Sequence, residues 1–268
     1  MSSTTTTIAA NAIMYDDIHV ICVYNIHSIP TLETASPLLR GYDKNDEHVL
    51  TVKELPSDDQ LKKMTNLHTL YIGCSHMKYF PDIDILVNLK NIIFYECRNL
   101  FSIGRLPTSI QNLEIRGCHE LKCLFQQLSG FTNLKNLIIN DCRAFDTLPL
   151  LPQSLLKLDI HKTIIKTIPA NLPPELQFLN IAATRIAAFN SRHTPQSLAY
   201  VCTNKYAAKT IQPKPYMHIE ICDVYYCDCD YDCECDYQEE PEEEQPQIKR
   251  QRKFITDAAD ASDDENIE

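Results

Sequence analysis

Near the C-terminal end, Cys227, Cys229, Cys233 and Cys235 share the stretch CDCDYDCECDY with two tyrosines and five acids. Four thiols spaced CxC-x3-CxC can supply the ligand set of a zinc ion. Zinc modules, however, usually separate two ligand pairs by a dozen or more residues that fold around the metal. Here no core-forming residue lies between the pairs. A disulfide knot needs an oxidising compartment. The strict alternation also suits a strand with a Cys/Tyr face and an acidic face, although Asp228, Asp230, Asp232, Glu234 and Asp236 would repel one another along it. Three readings stand: an acidic tail without fixed structure, an edge strand closing a sheet, and a metal site at Cys227, Cys229, Cys233 and Cys235.

Other reactive groupings are sparse. The chain has only 5 glycines, and none builds a phosphate-cradling loop or a dinucleotide fingerprint. HExxH and GxSxG are absent. Cys118 and His119 are adjacent, and Cys74 lies two residues from His76. Adjacent side chains of an extended segment point to opposite faces, so Cys118–His119 is a poor nucleophile–base pair. The expectation is a protein without catalytic activity or cofactor.

Charge divides the chain. Of 268 residues carrying a net −11, those from Cys227 onward hold 16 acids and 4 bases, which leaves the preceding 226 at +1. A near-neutral body lacks the cationic footprint that phosphate backbones require, so nucleic acid is not the expected partner. No run of 18 apolar residues is present, so no membrane span is expected. MSSTTTTIAANAIMYDD has neither the basic start nor the apolar run of a signal peptide. These features predict a cytoplasmic monomer whose cysteines are free thiols. The segment 227–268 is polar and low in aliphatic residues, hence expected to be disordered. Within it, Lys249-Arg250-Gln251-Arg252-Lys253 resembles a short nuclear-import signal.

The body repeats itself. In LKNLIINDCRAFDTLP, Leu134 to Pro149, apolar residues fall at offsets 0, 3 and 5, and a cysteine follows. The frame recurs from Leu67, Leu89, Ile110, Leu155 and Leu176, with weaker copies from Leu198 and Tyr216. The intervals run 22, 21, 24, 21, 21, 22 and 18 residues. Self-similarity at this period is the signature of a solenoid. Offsets 3 and 5 alternate like a short strand with one buried face. Pro107, Pro149, Pro169 and the Pro173-Pro174 pair then mark return segments that are neither strand nor long helix. Cys74, Cys97, Cys118 and Cys142 are assigned to one position just past the strand, where Thr163 and Thr184 stand later. A small buried residue whose thiol donates weakly to a turn carbonyl explains them better than a metal does.

This spacing resembles the frame of the leucine-rich repeat family, L-x-x-L-x-L-x-x-N/C-x-L. The cysteine followed by an aliphatic-Pro pair is similar to plant-type intracellular receptor repeats. The LPxxLxxLxI copies ending at Ile160 and Ile181 resemble bacterial effector repeats, and the Ile/Asn/Asp-rich style resembles repeat proteins of large DNA viruses of amoebae. The resemblance implies an α/β repeat solenoid, a horseshoe with a parallel concave sheet and a mostly irregular or 3₁₀ convex side. It divides the chain into a disordered 1–13, an irregular cap or degenerate repeats over 14–66, repeats over 67–226, and the tail 227–268. Ile18–Pro30 carries the 0, 3, 5 spacing and belongs to the cap.

The third, fifth and seventh frame positions are then expected on the concave face. They place Tyr71, Ile93, Tyr95, Glu114, Arg116, Ile138, Asp159, His161, Phe178 and Tyr200 there. Large apolar and aromatic groups among polar ones fit interface anchors. The expected function is recognition of another protein on this face. Two alternatives remain: metal binding through the tail, and substrate selection for a host ubiquitin ligase.

Overall fold

Alternation of core-facing and outward residues makes a strand of each repeat. A computed structural model describes residues 18, 20–24, 49–52, 55–73, 75–124, 128–189 and 194–222. The chain divides into Met1–Tyr226 and Cys227–Glu268. The second unit, with the four tail cysteines and the Lys249–Lys253 run, lies outside the described residues.

Twelve strands are described: β1 (Val20–Tyr24), β2 (Val49–Val52), β3 (Thr69–Gly73), β4 (Tyr79–Phe80), β5 (Asn91–Tyr95), β6 (Ser102–Ile103), β7 (Asn112–Arg116), β8 (Asn136–Asn140), β9 (Lys157–Asp159), β10 (Phe178–Asn180), β11 (Tyr200–Thr203) and β12 (His218–Ile221). Ten of them form one parallel sheet in the order β12-β11-β10-β9-β8-β7-β5-β3-β1-β2. β4 and β6 pair in parallel on the return side of the coils. Helix is confined, among the described residues, to single turns at Asp58–Leu61 and Lys205–Ala208 and a 3₁₀ turn at Leu128–Gly130. None of these is long and apolar enough to cross a membrane. The architecture is a parallel β-solenoid.

Register carries the repeat frame from strand to strand. Leu70 pairs with Ile92, Ile92 with Leu113, Leu113 with Leu137 and Leu137 with Leu158. All five are buried, as are the frame-opening Leu67, Leu89, Ile110, Leu134, Leu155, Leu176 and Leu198. No single coil could cover these side chains. Stacking joins them into one core, which Phe80, Phe131, Phe145 and Phe189 close from the return side.

β1 keeps the same frame, since Ile21 pairs with Leu70 and Val23 with Ile72. Only the strand order is irregular. β1 lies between β3 and β2, so the chain leaves β1 for the sheet edge and returns past it to begin β3.

Five successive strands of the main sheet, β5, β7, β8, β9 and β10, end in one device. Glu96, Gly117, Asp141, Lys162 and Ala183 occupy the same frame position and all have positive φ, between 50° and 66°. This left-handed residue turns the chain away from the sheet. The next side chain drops into the core and ties the turn down. Cys97 Sγ donates to the Ile72 carbonyl at 3.4 Å, Cys142 Sγ to Asn140 at 3.3 Å, and the hydroxyls of Thr163 and Thr184 to Ile160 and Ile181 at 2.8 and 2.7 Å. Burial and the thiols of Cys142 and Cys97 push the Cys118 thiol up. The first repeat corrects the sequence assignment. Pairing of Gly73 with Tyr95 sets position 75 opposite Cys97, so buried Ser75, not Cys74, holds the ladder site. Cys74 is one residue early and lies outside the described residues.

Two outcomes are expected. Thiolate is the reactive form of cysteine, and burial raises the Cys22 thiol to about 12. Cys22, Cys97, Cys118 and Cys142 are all closed off from reagent by burial, so they will resist alkylation at neutral pH in the native protein and react fully in denaturant, as read by peptide mass mapping. Exposed Lys162 bears a left-handed cost that glycine escapes. Lys162→Gly will raise unfolding stability by about 0.5–1 kcal/mol, and Gly117→Ala, at φ 66°, will lower it by ~1 kcal/mol, both measured by urea titration.

Candidate functional site

With frame offsets 3 and 5 in the core, the third, fifth and seventh positions share the sheet's outward face. In-register pairing turns each position into a column of side chains about one strand spacing, ~4.8 Å, apart.

The third-position column begins as an amide ladder. Asn91 Nδ2 donates to Thr69 Oγ1 at 2.8 Å, Asn112 Nδ2 to Asn91 Oδ1 at 2.6 Å, and Asn136 Nδ2 to Asn112 Oδ1. Asn91 and Asn112 each spend a donor on one neighbour and the amide oxygen on the other. At β9 the column changes character. Lys157 Nζ sits 4.7 Å from the centroid of Phe178. Phe178 stacks on Tyr200 at 4.9 Å and Tyr200 on His218 at 5.3 Å.

From β3 to β9 the fifth-position column is a closed floor. Tyr71 and Ile93 are 0% exposed, Glu114 4%, Ile138 5% and Asp159 7%. The expectation that Tyr71, Ile93 and Ile138 stand exposed as apolar anchors is therefore corrected. A mid-strand side chain is walled by the third and seventh positions of its own strand and by the fifth positions on either side. The Tyr71 and Tyr95 rings stack at 6.5 Å. Tyr95, Arg116, His161, Phe178 and Tyr200, in the flanking columns, are half-buried and reach the surface.

Two carboxylates in the floor meet partners from the seventh-position column. Glu114 Oε2 accepts from Arg116 Nε at 3.2 Å. Asp159 Oδ1 lies 2.9 Å from His161 Nδ1, which makes Nδ1 the protonated ring nitrogen. Asn140 joins the pairs with its amide turned so that the oxygen faces the Arg116 guanidinium, the orientation that satisfies both ends. Its amide oxygen accepts from Arg116 Nη1 at 3.2 Å, and its nitrogen donates to Asp159 Oδ1 at 3.0 Å. A continuous polar chain thus runs Glu114–Arg116–Asn140–Asp159–His161 across β7, β8 and β9. Both carboxylates already accept a donor, and no nucleophile lies in the chain. The arrangement is suited to holding a fixed charge pattern at a surface.

The Cys118–His119 grouping is not brought together. Cys118 Sγ is buried and donates to the Arg116 carbonyl at 3.7 Å, while the His119 ring nitrogens bond to no group among the described residues. At the other end of the sheet, Cys202 and Cys222 place their sulfurs 2.8 Å apart, with Glu220 beside them. The frame places Asn140 and Asn180 on the outward face, where sequence reasoning did not single them out, and His218, Glu220 and Cys222 were passed over. Extending the column rule through the weak copy at Tyr216 would have put His218, Glu220 and Cys222 at its third, fifth and seventh positions.

The chain matches no protein-family model and no curated protein.

Removing one partner of a buried charge costs more than removing both. Arg116→Met will lower unfolding stability by about 3 kcal/mol because it strands Glu114. The double change Glu114→Leu with Arg116→Met will recover most of that loss, read by denaturant titration of the four-member mutant cycle.

Proposed function

We propose that the chain is a non-catalytic protein-recognition module, built as a leucine-rich repeat horseshoe whose outward sheet face is the concave, partner-binding side. Eight frame copies, their strand register and the parallel sheet support the family reading. The observation that carries the functional reading is the division of labour on that face. A packed floor supports half-buried Tyr95, Arg116, His161, Phe178 and Tyr200 along successive strands. Aromatic rings and arginine already held by neighbours lose little side-chain entropy when a partner covers them.

The anchors therefore belong to the third and seventh columns. Tyr71, Ile93, Glu114, Ile138 and Asp159 support them from beneath. The partner is a protein that offers apolar surface to the Phe178–Tyr200–His218 stack and hydrogen-bonding groups to the Arg116–Asn140–His161 stretch. Neither nucleic acid nor a cofactor is needed for this contact. The cytoplasm is the proposed setting.

The test is quantitative capture from cytosol by the full-length chain, by a chain ending at Tyr226, and by a full-length triple variant Tyr95→Ala, Phe178→Ala, Tyr200→Ala. The first two will retain the same partner. The triple variant, checked for folding by circular dichroism, will retain it at least ~30-fold less well, since one lost anchor of hot-spot size is worth about 2 kcal/mol. Equal capture by a folded triple variant would sink the proposal. Loss of capture only in the shortened chain would move the function to the acidic tail.

A further inference from the structure

Two groups among the described cysteines contrast. Cys97, Cys118 and Cys142 each donate to a backbone carbonyl, at a position that threonine fills in later repeats. Cys202 and Cys222 instead face each other on the outward side of the sheet's last two strands. Register explains why. Cys202 pairs directly with Glu220 across β11 and β12, and Cys222 is two residues beyond Glu220, hence on the same face. The backbone N–H of Cys222 donates to the Thr203 carbonyl at 2.9 Å, which extends the ladder through it. Both sulfurs and a carboxylate oxygen of Glu220 lie within 4.8 Å of one another.

We propose that Cys202, Cys222 and Glu220 form a binding site for one thiophilic divalent cation of the zinc class. The proposal is independent of the partner-binding reading. Two thiols gain little from each other, since S–H is a weak donor and sulfur a weak acceptor. As thiolates beside Glu220 they would repel strongly, since all three groups would then carry negative charge within 4.8 Å of one another. A divalent cation supplies the missing positive charge. Each thiol gives its proton to solvent as its Zn–S bond forms. Two thiolates and one carboxylate leave the fourth tetrahedral position to water.

The fit needs a small movement. Zn–S bonds of about 2.3 Å in a tetrahedron set sulfurs ~3.8 Å apart, against 2.8 Å here. β12 is the last strand of the sheet among the described residues, and Cys222 lies just beyond its last residue, so that side chain can turn outward. Glu220 also has a supporting group. The Tyr200 hydroxyl donates to its carboxylate, and the Tyr200 ring is held between Phe178 and His218. An orienting hydrogen bond on a carboxylate ligand is the usual companion of a metal site.

The test uses the full-length chain with Cys227, Cys229, Cys233 and Cys235 changed to Ser, so that tail thiols cannot compete. It is kept reduced and titrated with Co²⁺ as the spectroscopic probe. The expected result is one equivalent bound, with visible bands of a tetrahedral ion, a sulfur-to-cobalt charge-transfer band, and displacement by Zn²⁺. Cys222→Ser should weaken binding by at least ~10-fold and cut the charge-transfer band by about half. Tyr200→Phe, which removes only the orienting bond, should weaken it by about 10-fold with the bands unchanged. Glu220 is exposed, so Glu220→Gln will fold even if a cysteine variant does not, and it should shift the visible bands. Absence of tetrahedral bands would overturn the proposal, as would bands indifferent to Cys222→Ser and Glu220→Gln. So would a chain that forms a Cys202–Cys222 disulfide in air and binds no Co²⁺ once reduced.

Discussion

In-register parallel pairing is the constraint from which the rest of this molecule follows. Parallel strands set each residue beside its counterpart in the previous coil. A core of leucines then comes at no cost in specification, since one frame written eight times yields a column of apolar contacts. The outward face carries the same constraint as a hazard, because like charges at one frame position would also stack. The fifth column avoids this. Between Tyr71 and Glu220 it places Glu114 between Ile93 and Ile138, and Asp159 between Ile138 and Asn180, so no two carboxylates adjoin.

The same rule explains the change in the third column. Asparagine is self-complementary, so Asn91, Asn112 and Asn136 can stand in a row with each amide donating to the residue before it. Lysine is not self-complementary and occurs there once, against the ring of Phe178. The aromatic stack that follows is also tolerant of repetition. One half of the face is thus a rigid, internally satisfied amide row. The other presents rings and charges whose bonding capacity is partly turned outward; the Cys202–Glu220–Cys222 cluster lies in that half, while the proposed partner-binding residues run from Tyr95 to Tyr200 across both.

The sheet was legible in the sequence because its determinants are local and repeated. Leucine and isoleucine at offsets 0, 3 and 5 recur often enough to locate the strands of the main sheet from β3 to β12, though not the return-side β4 and β6. Exposure was less legible. Tyr71 and Ile93 point away from the core as the alternation requires, but their burial depends on neighbours some 22 residues away. The Ser75 position was missed for a related reason: a one-residue slip in the first repeat shows only in the pairing of Gly73 with Tyr95. The Cys202–Glu220–Cys222 cluster joins two degenerate copies, where the apolar signal that fixes the frame is weakest. The left-handed position was hidden because Glu, Gly, Asp, Lys and Ala share nothing in their side chains.

The placement of β1 bears on how the chain finds its fold. From β3 onward every coil docks on the one made just before it, so ordering each new strand closes a loop of similar, short length. β1 does not. Val20 must meet both Val49 and Thr69, and the latter contact spans more than twice the separation between Thr69 and Asn91. Closing longer loops takes more chain entropy before any contact repays it. The array is therefore kinetically polarised. Its middle coils can nucleate and grow toward β12 by local steps. The N-terminal end is the late-forming, higher contact-order part, and it covers the growing core only once β3 is there to receive it.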